Sequence, residues 1–175
     1  MNTLDITRIL TSCAATSEHF VGVFASDTLP TSCVRLQRPC SYICNLDPAH
    51  RSGSHWVAFY FPRQGPVEYF DSYGFDIPSL FNDFVGLNEV YTFNTCFLQH
   101  PLSAVCGQYC IYYVWQRGLL SSPAATMNSV LSIFTPNEQY YNDSLVNTLV
   151  EEHFNVDLNV YDLAWQNKQL HRHHE

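Results

Sequence analysis

The sequence predicts an α+β domain in which β-strands come before most of the α-helices. Apolar and aromatic runs typical of strands lie before residue 100, and a helical periodicity follows. Hydrophobic residues make up 46% of the 175 residues and charged residues 14%, which excludes a disordered chain and a charged coiled coil. A chain of this length can bury about 70% of its surface, so we predict a single domain over residues 1–168.

The first predicted elements are a short helix and a series of strands. The helix covers 3–14 and has Leu4, Ile9 and Leu10 on its apolar side. The predicted strands, in chain order, are 20–24, 40–44, 55–61, 67–71 and 89–93, with a further short strand near 96–98. The Gly- and Pro-rich connection 62–66 joins the third and fourth strands into a hairpin.

Helices are predicted after the strands. The first runs from Cys106 to Arg117 and ends at Gly118, which would act as a left-handed cap. The second opens with Ser122 as its N-cap and Pro123 in its first turn.

A third helix follows a capping box at 135–138. Its predicted buried stripe consists of Tyr141, Leu145 and Leu149. The charged end of the chain, 169–175, is predicted to be a mobile tail.

Charge and cysteine content limit the partners and the compartment. Sixteen acidic residues outweigh eight basic ones, so we do not expect the chain to bind nucleic acid. The amino terminus lacks the features of a signal peptide, and no stretch approaches the roughly 18 apolar residues of a membrane span. We therefore interpret the seven cysteines as reduced thiols and expect no membrane partner. No Cys or His spacing matches a zinc site, and we predict neither metal nor cofactor.

Cys106 is the candidate nucleophile. If Ser103 is the N-cap of the following helix, the sulfur lies in the first turn, where the helix dipole favours a thiolate. Gly107 has no side chain to obstruct an approaching backbone. The alternative is a buried, inert cysteine, which is common in apolar helices.

His55 and Asp71 are the candidate base and its orienting acid. If the hairpin connection is centred on Gln64, Val57 faces Asp71, and His55 lies diagonal to Asp71 on the same face of the sheet. A register slip of one residue would put the two side chains on opposite faces. The alternative for His55 is a strand-edge histidine packed by Trp56, and the alternative for Asp71 is an aspartate that only forms a turn.

Gln99 is the candidate oxyanion donor. It precedes Cys106 by seven residues, and its amide could act together with the backbone N–H of Cys106. The alternative is a solvated loop glutamine.

These segments resemble the active-site segments of the adenovirus protease (adenain) family, which shares a clan with the SUMO-deconjugating cysteine proteases. The active-site resemblance lies in 53–59, 69–75 and 99–107. It extends to 20–24 and 39–45, and so covers roughly the first 120 residues in motif detail and the later helices in outline. The order His, acid, Gln, Cys is the order of this clan.

The resemblance assigns a role to each candidate. His55 would be the general base, Asp71 its orienting acid, Cys106 the nucleophile and Gln99 an oxyanion donor. The acid departs from adenain, which has Glu at this position. The implied fold is a central, mostly antiparallel or mixed sheet flanked by helices, with the nucleophile at the start of a central helix.

The resemblance also implies a function. We expect a cysteine endopeptidase that cleaves precursor proteins of a virus or a virus-derived element, for particle maturation. A groove beside Trp56 and Gly107 would admit Gly more easily than bulky residues, so we expect Gly-containing cleavage sites. The alternatives are a protease that removes ubiquitin-like modifiers and a non-catalytic interaction module.

Partners and location follow from the same resemblance. The expected partners are protein or peptide substrates, among them capsid precursors, and an activating peptide, for which Cys96 is a conceivable disulfide partner. DNA stimulates adenain, but the acidic composition argues against it here. We expect the protein in the host nucleus or cytoplasm and in the virion, and not in the secreted fraction.

Overall fold

In the computed structural model, the described residues are 1–30, 37–86, 88–120 and 122–158. Within these ranges, five strands form one sheet in the order β1-β2-β3-β4-β5. The strands are β1 (Phe20–Phe24), β2 (Cys40–Asn45), β3 (Trp56–Phe61), β4 (Val67–Phe70) and β5 (Tyr91–Phe93). The β1–β2 and β4–β5 pairs are parallel, whereas β2–β3 and β3–β4 are antiparallel. The predicted α+β class is confirmed, and its sheet is mixed.

Helices flank the sheet. Those in the described ranges are α1 (Thr3–Thr11), α2 (Ala14–Ser17), α3 (Asn82–Val85), α4 (Cys106–Leu119), α5 (Met127–Leu131) and α6 (Gln139–Phe154), with a 3-10 turn at Ser79–Phe81. Helix α4 is buried along nearly its whole length because β3 packs against one side of it and α1, α2, α5 and α6 surround the rest. No helix in the described ranges is long and apolar enough to cross a membrane.

Both faces of the central strands are buried. In β3, Ala58 and Tyr60 point into the core that contains α4. The alternate residues, such as Phe59 and Phe61, point into a second apolar layer that contains Phe84 of α3. Burial on both faces explains why the sequence of β3 is apolar throughout rather than alternating.

The β3–β4 hairpin has the register on which the expected contact between His55 and Asp71 depends. Ala58 pairs with Phe70, and Tyr60 pairs with Glu68, so the connection is centred on Gln64. The short strand predicted near 96–98 is wrong. There the backbone follows a loop in which the N–H of Leu98 donates to the carbonyl of Ser72, rather than to a neighbouring strand.

The predicted end of the first long helix is also wrong. Helix α4 continues through Gly118, which is not in a left-handed conformation. A Cβ atom on Gly118 would lie 2.1 Å from the carbonyl oxygen of Ala15 and 2.7 Å from Nε2 of His19. Glycine is therefore required by the close approach of α2 to α4 and not by a helix cap.

The two later helices begin at other residues than predicted. Helix α5 starts after Thr126, which forms a capping box with Ser129, whereas 122–123 lie before the helix. Helix α6 begins at Gln139, and no side chain caps it. Thr135 does not form a capping box, because its backbone N–H and C=O are both bonded to the side chain of Asn142.

The buried faces of two helices differ from prediction. In α6 the predicted stripe is out of phase: Tyr141 is exposed, Leu145 and Leu149 are half-buried, and the residues that are buried are Asn142, Asp143, Val146 and Val150. The helix predicted over 3–14 is divided into α1 and α2. Its apolar side contains Ile6, Ile9 and Leu10, and Leu4 is exposed.

The predicted mobile tail, 169–175, lies outside the described residues. The extent of the domain, 1–168, stays a prediction.

Candidate active site

The hairpin brings His55 and Asp71 into contact. His55 immediately precedes β3 and Asp71 immediately follows β4, so the antiparallel register places both at the same end of the hairpin. Nε2 of His55 lies 2.7 Å from Oδ1 of Asp71. Both side chains are buried. The geometry excludes the interpretation of Asp71 as a residue that only forms a turn.

A second side chain holds Asp71 in place. The backbone N–H of Asp71 donates to Oδ1 of Asn94 at 3.0 Å, and Nδ2 of Asn94 donates to the carbonyl of Asp71 at 2.6 Å. Oδ1 of Asp71 also accepts from the N–H of Tyr73 at 2.8 Å. The sequence analysis missed Asn94. Its position directly after β5, which runs parallel to β4, is the signal that places it at the same edge of the sheet.

Cys106 is the first residue of α4, so its sulfur lies in the first helical turn as predicted. The cap itself differs, since the N-cap position belongs to Val105 and no side chain caps the helix. Ser103, the predicted N-cap, instead donates its hydroxyl to the carbonyl of His100 at 3.0 Å. Cys106 lies close enough to His55 to influence the pKa of the imidazole, and Nε2 of His55 is bonded to Asp71.

Gln99 is buried and belongs to the same cleft as Cys106. Its Oε1 accepts from the hydroxyl of Ser72 at 2.7 Å, and its Nε2 donates to the carbonyl of Ser103 at 3.0 Å. The interpretation of Gln99 as a solvated loop residue is therefore wrong. An amide nitrogen carries two hydrogens, so the bond to Ser103 does not exhaust its donor capacity.

The contacts of His55 favour its charged form. Burial alone would lower the pKa of His55, but the hydrogen bonds to Asp71 and Cys106, with their negative charges, raise it to about 9. The ring of Tyr73 stacks on the imidazole with 4.8 Å between the centroids. One turn along α4, Cys110 lacks a histidine partner of this kind, and burial raises its pKa well above that of an ordinary thiol.

A cleft of about 700 Å³ opens in front of these residues. Trp56 and Gly107 line it, together with Met1. A Cβ atom on Gly107 would lie 3.4 Å from Sδ of Met1 and 3.5 Å from Cδ1 of Trp56. The passage beside Cys106 is therefore narrow, and a single methyl group on Gly107 would touch both Met1 and Trp56. In the described ranges no group of three His, Cys, Asp or Glu residues is arranged to hold a metal ion.

The architecture is similar to that of solved proteases. The ASFV pS273R protease aligns with a TM-score of 0.50 and 18% sequence identity, over 81% of this chain and 64% of that one. Its selenomethionine form aligns with a TM-score of 0.42 and 22% identity, over 61% and 44% of the two chains. No protein-family model and no curated protein matches the sequence.

The likeness to the first of these structures establishes the fold. The chain has the fold of a protease, and the predicted resemblance to adenain-like proteases is confirmed at this level. The aligned region corresponds to less than two thirds of the pS273R chain. The roles of the four candidate residues stay predictions.

Proposed function

We propose that the protein is a cysteine endopeptidase that uses Cys106 as nucleophile. The observation that carries the proposal is the bonded pair His55–Asp71 beside Cys106, with Gln99 in the same cleft. A nucleophile, a base in contact with it and an acid that orients the base are the requirements for covalent catalysis by a thiol.

In the first half of the reaction, a peptide is cleaved and the enzyme is acylated. The thiolate of Cys106 attacks the substrate carbonyl carbon, a C–S bond forms, and the π electrons move to the oxygen. Nε2 of Gln99 and the backbone N–H of Cys106 stabilise this oxyanion. The intermediate then collapses, the C–N bond breaks, and the imidazolium of His55 gives its proton to the leaving amine.

In the second half, the thioester is hydrolysed. His55, now neutral, takes a proton from water, and the resulting hydroxide attacks the thioester carbonyl. The C–S bond breaks, a carboxylic acid leaves, and the thiolate–imidazolium pair is restored. Asp71 keeps the imidazole in one orientation and stabilises its positive charge in both halves.

The cleft supports Gly-containing cleavage sites. The narrow gap between Trp56 and the position of Gly107 favours a substrate backbone without bulky side chains near the scissile bond. Together with the fold, this supports a function in cleaving viral or virus-derived precursor proteins, such as capsid precursors, during particle maturation. We propose the infected host cell and the virion as its locations, and an activating peptide as an additional partner.

The test is covalent labelling with a peptide probe that ends in Gly-Gly vinyl sulfone, followed by intact and peptide mass spectrometry. We expect one adduct, on Cys106, and its loss in Cys106→Ala. Cys96→Ala is the matched control, because Cys96 is an exposed thiol outside the site. Labelling that persists in Cys106→Ala, or that is lost in Cys96→Ala, would contradict the assignment.

A second measurement distinguishes the two kinds of protease. Peptides with an internal Gly-Gly-X bond test for an endopeptidase, and ubiquitin-like modifiers joined to a substrate through their terminal Gly test for a deconjugating enzyme. We expect cleavage of the peptides. Cleavage of the modifier conjugates alone would favour deconjugation.

A further inference from the structure

A series of stacked aromatic rings leads away from the catalytic histidine. Tyr73 stacks on His55, and Phe97 stacks on Tyr73 with 5.4 Å between the ring centroids and 25° between the planes. Phe75 lies on another side of Tyr73, at 6.3 Å. We call Tyr73, Phe75 and Phe97 the aromatic strip. Its outer rings are open to solvent, with Phe75 62% and Phe97 37% exposed.

The aromatic strip rests on two loops that are fixed to one another. Gly74 has φ near 71°, and a Cβ atom there would lie 2.8 Å from the carbonyl oxygen of Cys96, so only glycine allows this approach. The N–H groups of Leu98 and Gln99 both donate to the carbonyl of Ser72. The backbone that carries the rings is therefore fixed before any ligand arrives, which lowers the entropic cost of binding.

The position of the aromatic strip relative to His55 indicates what it contacts. His55 must deliver a proton to the leaving amine, so the substrate segment after the scissile bond has to pass the imidazole. Trp56 and Gly107 line the cleft beside Cys106, and the proposed site places the segment before the bond there. The next surface beyond the imidazole is Tyr73, followed by Phe97 and Phe75.

We propose that the aromatic strip binds a large apolar side chain of the substrate, within the first three residues after the cleaved bond. Exposed, contiguous apolar surface that is held rigidly beside a catalytic group is a feature of interaction sites. The inference rests on the proposed protease function and adds a substrate preference to it. The site would then select both for Gly before the bond and for an apolar residue after it.

Competition between peptides tests this preference. Each peptide has the same Gly-containing sequence before the bond and carries either Leu or Ser at one of the first three positions after it. We expect the kcat/KM ratio of Leu to Ser to be roughly tenfold at one of these positions in the wild-type protein. Phe97→Ala and Phe75→Ala should each bring the ratio towards one. Two variants are used so that a folding defect in one does not decide the outcome.

Leu119→Ala is the control. Leu119 is also an exposed apolar residue, but it lies at the far end of α4, roughly 20 Å from Cys106 along the helix. It should keep the wild-type ratio. Labelling and cleavage without any preference, or a preference that both phenylalanine variants retain, would overturn this inference and leave the proposed function standing. Absence of cleavage together with absence of probe labelling would overturn the proposed function and the inference with it.

Discussion

Replacing Asp71 by Asn separates the charge of this residue from its role in the loop. Oδ1 of Asp71 accepts bonds from both His55 and the N–H of Tyr73, and an asparagine oxygen can accept the same two bonds. The bonds between the Asp71 backbone and Asn94 do not involve the carboxylate. We therefore expect Asp71→Asn to fold as the wild type does and to differ in the electrostatics of His55.

The pKa of His55 indicates how strongly its surroundings stabilise the charged imidazole. The pKa of His55 is about 9, against 6.5 for an ordinary histidine, which corresponds to about 3 kcal/mol in favour of the imidazolium. Burial opposes this charge, so without the carboxylate only Cys106 stabilises it. The pKa of His55 should fall, and kcat/KM should decrease by about 10²–10⁴-fold, because the proton donor is lost and the imidazole tautomer is no longer fixed.

The assay is the pH dependence of kcat/KM with a fluorogenic Gly-Gly peptide. In the wild type, activity should fall as pH rises through about 9, where His55 loses its proton. In Asp71→Asn this alkaline limb should move to lower pH by about 1–3 pH units. Asp71→Glu, which keeps the charge, should remain nearer to the wild type. Wild-type activity and an unmoved alkaline limb in Asp71→Asn would refute the assignment of Asp71.

Three other substitutions test the cleft and the core. Gly107→Ala should leave the melting temperature unchanged, because its Cβ meets only ordinary contacts, but peptide turnover should fall at least about tenfold as the methyl group narrows the passage beside Trp56. Gly118→Ala should lower the free energy of unfolding in urea by about 1–3 kcal/mol, because its Cβ would overlap a backbone oxygen. Arg117→Met leaves Glu68 buried without the guanidinium that lies 3.0 Å away, and should lower the free energy of unfolding by about 3–5 kcal/mol. Burial already raises the pKa of Glu68, and losing the arginine raises it further, so this loss should be smaller at acidic pH, where Glu68 binds a proton. If Arg117→Met lost the same free energy of unfolding at acidic and neutral pH, the argument about the Glu68 charge would be wrong. A Gly118→Ala protein as stable as the wild type would contradict the close packing of α2 on α4.

The parts of the fold that depend on local pattern could be predicted from the sequence. The strand pattern and the length of the connection allow the observed hairpin register, in which Ala58 lies opposite Phe70, although they also leave a slip of one residue open. Once the register is fixed, the contact between His55 and Asp71 follows from geometry alone. The position of Cys106 in the first turn of α4 is likewise predicted correctly, although the predicted N-cap, Ser103, is wrong.

The errors arise where a distant segment decides the role of a residue. Asn142 and Asp143 have the composition of a solvent-facing position, yet both are buried because they bond to backbone groups of other loops. This rotates α6 relative to the predicted stripe. The local sequence around Gly118 predicts a helix end, but the glycine is needed because α2 approaches α4 closely at this position. No local pattern contains such information, because the partner residues are far away in the sequence.

The four site residues are held by two different kinds of structure. His55 leads into β3 and Cys106 begins α4, and these two elements pack against each other in the core. The position of His55 relative to Cys106 is therefore set by core packing, which tolerates few rearrangements. Asp71 and Gln99 lie in loops, and backbone and side-chain bonds around Ser72 and Asn94 hold them. Because Ser72 follows Asp71 directly and also bonds to Gln99, a change in this loop would displace Asp71 and Gln99 together. The position of His55 beside Cys106 would persist.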